Sequence, residues 1–208
     1  MGRRYEKGDG VEKSYERAAA MYERAASLGD ALSYTLLGTL YEEGLGVEQS
    51  YEEAARLYKA AADAGDPDGM CSLGNLYAGG NGVERSDKEA ARLYRIAAES
   101  GSSWGQRNLG FMYENGRGVP QSLEEAVRLY RQAAKDGDDY AIKRLLDIES
   151  RPHPPKNRRQ VRKMMLERTP GAEKEADELI RLVESGYQSD LMSKEEAEGI
   201  LQAAAGTA

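Results

Sequence analysis

Gly44 and Gly46 stand one residue apart and open the stretch GLGVEQSYEEA, which runs on into a helical pattern. Glycines so placed can let a backbone close on a phosphate at a helix N-terminus. A dinucleotide fingerprint also needs a preceding strand and a third glycine, and a P-loop needs Lys-Ser or Lys-Thr after its last glycine. Neither is present, and equivalent stretches begin at positions 8, 80 and 116, although a nucleotide site would need only one. The glycines therefore read as architecture. Cys71 is the only cysteine and His153, between prolines, the only histidine. No cluster of nitrogen and sulfur metal ligands, no Cys/His pair and no Ser/His/Asp triad can be assembled from them. No catalytic residue, metal or cofactor is expected, and the chain does not read as an enzyme. The carboxylate pairs Glu42 with Glu43 and Glu124 with Glu125 fall on polar helix faces and read as solvated surface.

The aromatic residues carry more. Trp104 and Phe111 are the only Trp and the only Phe, and Arg107 lies between them at helical spacing. A Trp, an Arg and a Phe on one stripe is the composition of an interaction hot spot. The competing reading is that Trp104 packs against the preceding unit.

What must position these residues is a repeat. Tyr5, Tyr41, Tyr77 and Tyr113 are 36 residues apart, as are Gly10, Gly46, Gly82 and Gly118, and Tyr22, Tyr58, Tyr94 and Tyr130. A period held without slippage over four copies predicts stacked supersecondary units, a solenoid. Each unit reads as two helices. In the leading one Leu37, Gly38, Leu40 and Tyr41 recur as Leu73, Gly74, Leu76, Tyr77 and as Leu109, Gly110, Met112, Tyr113. The second carries Ala54, Leu57, Tyr58 and Ala61, the i, i+3, i+4, i+7 spacing of one buried face. Ser14, Ser50, Ser86 and Ser122 precede the second helices, and Glu53, Glu89 and Glu125 follow three residues behind the last three, which predicts capping boxes. Gly29, Gly65, Gly101 and Gly137 follow the helix ends, where a left-handed residue is wanted.

The pattern L-G-x-x-Y, then G-x-G-V, then A-x-x-x-Y-x-x-A-A-x-x-G, over residues 5 to 149, resembles the Sel-1-like repeat, a relative of the tetratricopeptide repeat. The resemblance implies an all-α superhelix that serves as a scaffold or adaptor in protein complexes. Some relatives carry a cysteine pair in each repeat and are linked to binding or hydrolysing β-lactam rings, which makes hydrolysis the alternative function. This chain lacks the pairs and any S-x-x-K. In the tetratricopeptide relatives the corresponding columns line a concave, ligand-facing surface. Here those columns hold Leu32, Thr35 and Thr39; Asp68, Cys71 and Asn75; Trp104, Arg107 and Phe111; and Tyr140 with Lys143. These are the expected contacts to a partner protein or peptide.

The expected organisation is a partial repeat at 1–30, full repeats at 31–66, 67–102 and 103–138, a capping helix at 139–149, a Pro-rich linker at 151–157 and a helical tail at 158–208. The first copy begins at its tyrosine, so the N-terminal half of its leading helix is expected to be missing. Net charge is −7 over residues 1–150, +6 over 151–168 and −6 over 169–208. The basic stretch Arg151 to Arg168 could attach to nucleic acid or an anionic membrane, but it has no interleaved aromatics. Pairing with the acidic segment behind it is the favoured expectation. No run of 18 apolar residues occurs, so no membrane span is expected, and the single cysteine needs no oxidising compartment. A cytoplasmic location is the expectation.

Overall fold

The computed structural model describes residues 1–149 and positions 163, 166, 167, 174, 177, 180 and 181. The chain divides into two units, Met1–Leu146 and Asp147–Ala208. The expected linker at 151–157 and most of the expected tail, including the basic stretch, lie outside the described residues.

Residues 1–149 form a run of helices: α1 Gly2–Lys7, α2 Tyr15–Ala26, α3 Ala31–Glu43, α4 Tyr51–Asp63, α5 Pro67–Gly79, α6 Asp87–Glu99, α7 Ser103–Asn115, α8 Leu123–Lys135 and α9 Asp139–Glu149. No strand is found among the described residues. Each leading helix from α1 to α7 packs against the second helix of its own repeat, and α2, α4 and α6 against the next leading helix. The leading helices also touch one another, α3 with α5 and α5 with α7, whereas α4, α6 and α8 make no comparable contact. The leading helices therefore line the side on which successive repeats approach one another, the inner side of the stack.

Alanine and leucine make the joints tight. Ala54, Ala61, Ala90, Ala97, Ala126 and Ala133 are completely buried, with Leu57, Leu93 and Leu129 beside them. Within each hairpin a tyrosine ring of the second helix lies flat against a glycine of the leading helix. A methyl group at Gly74 would come within 2.6 Å of the Tyr94 ring, and one at Gly110 within 2.8 Å of Tyr130. The hydroxyl of each buried tyrosine then needs an acceptor. Tyr22 donates to Glu6 at 2.6 Å, Tyr58 to Glu42 at 2.6 Å and Tyr130 to Glu114 at 2.9 Å.

The glycine-rich turn joins neighbouring repeats as well as the helices within one. Gly46, Gly82 and Gly118 adopt φ of 66–69°, and a side chain on any of them would run into the backbone at the start of the preceding repeat's second helix. Both the conformation and the close approach demand glycine. The serine caps form as expected: Ser14, Ser50, Ser86 and Ser122 each accept from the amide three residues on. The reciprocal half of the capping box does not. The amides of Ser50, Ser86 and Ser122 already donate to the carbonyls of Tyr41, Tyr77 and Tyr113, so Glu53, Glu89 and Glu125 turn instead to Arg56, Arg92 and Arg128 one turn along.

Gly110→Ala should lower the thermal midpoint followed by far-ultraviolet circular dichroism. Alanine gains about 1 kcal/mol of helix propensity over glycine, but forcing a methyl against Tyr130 costs roughly 1–3 kcal/mol. A rise in the midpoint would show that the ring moves aside freely.

Candidate functional site

The inner face carries a cavity of about 530 Å³ lined by Asn75, Ala78, Tyr94, Arg107, Asn108, Phe111, Met112, Arg117 and Tyr140. That volume lies in the range of ligand pockets, roughly 300–1,000 Å³. Four of the sequence-derived contacts, Asn75, Arg107, Phe111 and Tyr140, meet here from three successive leading helices. Helical spacing carries them there, since residues in the same column of α5, α7 and α9 recur on the same side of the stack.

The other expected contacts are placed elsewhere. Thr35 is buried, its hydroxyl donating to the Asp66 carboxylate, and Thr39 bonds the Thr35 carbonyl at 3.1 Å. Cys71 is fully buried beside Ser102, and burial pushes its thiol up to about 12, so it stays protonated and unreactive at neutral pH. Together with Arg107, whose Nη1 meets Asp138 at 3.1 Å, these residues reveal what their column does. In each copy it reaches the N-cap residue of the next leading helix and couples adjacent repeats. Trp104 packs half-buried against the cluster containing Met70, Cys71 and Leu109, away from the cavity. Asp68 and Lys143 are exposed; desolvation and the charge of Asp66 hold the Asp68 carboxyl above its ordinary value. Leu32 belongs to a separate cavity at the other end of the stack, with Met21, Leu28 and Leu36.

Sequence reasoning missed Ala78, Tyr94, Asn108, Met112 and Arg117. Ala78 carried a signal: its column holds Glu6, Glu42 and Glu114 in the other copies. With no carboxylate there, the Tyr94 hydroxyl donates instead to Asn75 Oδ1 at 2.6 Å, and the space the glutamate would fill is open. Arg117 arrives from the glycine turn. Its Nε and Nη2 grip Asp87 at 3.2 and 2.5 Å, Nη2 also reaches the Ala78 carbonyl at 3.2 Å, and the guanidinium lies over the Phe111 ring at 5.9 Å. The Arg117 hydrogen bond holds the Asp87 carboxyl below its usual range. Arg107 lies over the Tyr140 ring at 5.8 Å. Both cations are matched by aspartates, so the cavity is apolar at its centre and edged by N–H groups.

Residues 1–30, 31–66, 67–102 and 105–138 each match the model of the Sel1 repeat. The chain belongs to the Sel1 repeat family. Sel1 repeat proteins generally act as scaffolds for protein–protein interaction and are typically non-catalytic. Among solved structures the chain is similar to a protective antigen present in uropathogenic Escherichia coli strains displaying an SLR fold. The identity is 28% and the TM-score 0.68, over 99% of this chain and 44% of that one. It is also similar to a Sel1 repeat protein from Oxalobacter formigenes, with 28% identity and a TM-score of 0.66 over 98% of this chain and 84% of that one. This chain thus spans less than half the length of the first of these. A search of curated proteins gives no match.

Two outcomes are expected from this placement. Trp104→Ala should cost about 2–3 kcal/mol in a urea melt, short of the roughly 3–5 of a fully buried aromatic. Arg107→Ala should cost about 1 kcal/mol or less, as its ion pair with Asp138 is partly solvated; equal losses would contradict the division between packing and recognition. Because Asp87 is depressed in the folded state, the stability it contributes is full above the ordinary aspartate pKa of about 3.9. It is lost as pH falls from there through the lower folded value. The difference in melting midpoint between the parent and Arg117→Ala should therefore shrink on acidification below pH ~4, and a constant difference would remove the ion pair as its source.

Proposed function

We propose that the repeats act as an adaptor that captures a segment of a partner protein on the inner face, in the cavity between α5, α7 and α9. The supporting observation is the convergence of Asn75, Arg107, Phe111 and Tyr140 there, each different in type from its equivalents in the other copies. The framework residues repeat from copy to copy; these four do not. Phe111 and Tyr140 offer apolar surface, while Arg107, Arg117 and the two asparagines offer donors that fix a segment's register. Anchors of this kind concentrate binding energy in a few side chains.

Peptides selected from a random phage-displayed library on the wild-type protein provide the test. Their affinity should fall at least tenfold for Arg107→Glu combined with Tyr140→Ala, and stay unchanged for Gln132→Ala, which lies exposed on α8. Selected peptides that bind both variants as tightly as wild type would place recognition on another surface.

A further inference from the structure

The repeat supplies its own internal reference for the cavity. At the tyrosine of each hairpin, three copies present a carboxylate: Glu6 to Tyr22, Glu42 to Tyr58 and Glu114 to Tyr130. In the last of these, Glu114 is held from the other side by Arg144 of the next leading helix. The third copy has Ala78 where the carboxylate belongs and Asn108 where Arg144 stands. The Nδ2 of Asn108 is buried without a hydrogen-bond partner, a state that is costly for a polar group. Nothing in the fold requires the loss, since the same helix position carries glutamate in α1, α3 and α7.

We propose that a carboxylate from the ligand, an Asp or Glu side chain of the captured segment, fills the place left by Ala78 and completes this network. The proposal rests on the capture of a partner segment by this face. The incoming oxygens would displace Asn75 Oδ1, which now takes the single Tyr94 hydroxyl proton at 2.6 Å, and would accept from that hydroxyl, from the orphaned Asn108 amide and from the Asn75 amide once its side chain turns. Tyr94 keeps the proton it must donate, because burial pushes its phenol above the ordinary value. Arg107 and Arg117 edge the cavity with N–H groups, and neither contributes an acceptor that would repel an anion. The Tyr58 site shows that a carboxylate is accommodated on hydroxyl donors alone: Glu42 accepts from Tyr58, which also meets Thr39 at 3.2 Å. Carboxylate and carboxamide differ little in size, so the site distinguishes them by charge-assisted hydrogen bonding, which is about twice as strong as the neutral kind.

N-acetylglutamic acid amide and its glutamine counterpart are the probes, titrated into the ¹⁵N-labelled full chain. The glutamate probe should shift the side-chain amide resonances of Asn108 and Asn75 in a saturable way. It should bind at least tenfold more tightly than the glutamine probe, and lose that advantage below pH ~4 as its carboxyl protonates. Ala78→Glu, which supplies the carboxylate from the chain itself, should abolish the shifts and raise the thermal midpoint above that of Ala78→Gln. Equal binding of the two probes, unmoved Asn108 resonances, or unchanged binding by Ala78→Glu would overturn the proposal. Library peptides that need Arg107 and Tyr140 but show no enrichment in Asp or Glu would end the carboxylate assignment and leave partner capture standing. Probe binding with no selectable peptide would do the reverse.

Discussion

In each hairpin a tyrosine ring is laid against a glycine of the facing helix, and most other features of the unit follow from that contact. The missing side chain at Gly38, Gly74 or Gly110 lets the two helices approach until the ring is enclosed, leaving Tyr58 at 1% and Tyr130 at 0% exposure. Burying an aromatic side chain in this way contributes roughly 1.5–3 kcal/mol. It also carries a hydroxyl into the interior, where an unmet donor would cancel much of the gain. Each repeat must therefore place an acceptor on the leading helix. Glutamate, one turn beyond the glycine, does so in three copies; in the third copy Ala78 stands there and Asn75, next to Gly74, accepts instead.

Coupling between repeats uses a second set of contacts that are as regular in position as they are varied in chemistry. Thr35 with Asp66, Cys71 beside Ser102 and Arg107 with Asp138 occupy one geometric slot. A hydroxyl, a thiol and a guanidinium all satisfy it because each can reach the side chain that caps the next leading helix. Only the guanidinium is long enough to serve the cap and still edge the cavity. The glycine turns add a joint of another kind, with backbone against backbone, which no side chain could occupy. A stack held by such local joints can accept substitutions on its inner face without losing its framework, and that freedom is what lets one copy specialise.

The sequence-level reading was strongest where the constraint is local and repeated. The paired helices, serine caps and small-residue faces follow from periodicity, and four copies match the family's repeat. It was weaker for the inner face. Column position gathered Asn75, Arg107, Phe111 and Tyr140 on one side of the stack, where they line the cavity, but could not separate Trp104, which lies outside it, from Phe111. Nor could it tell that Thr35 is committed to Asp66, because that bond spans 31 residues and depends on how tightly consecutive repeats stack. The glutamates of the capping boxes were misread for a similar reason: the serine amides they would serve are already taken by the preceding turn.

By itself, then, the sequence determined the period, the paired helices and the tight alanine and glycine joints, since these depend on residue type at fixed spacing along one chain. Only the tertiary structure decided where the cavity lies. The cavity exists because Ala78 on one helix, Asn108 on the next and Arg117 from a turn are brought around Tyr94. What matters there is an absent carboxylate, and an absence has meaning only once the neighbours it leaves unsatisfied are in place.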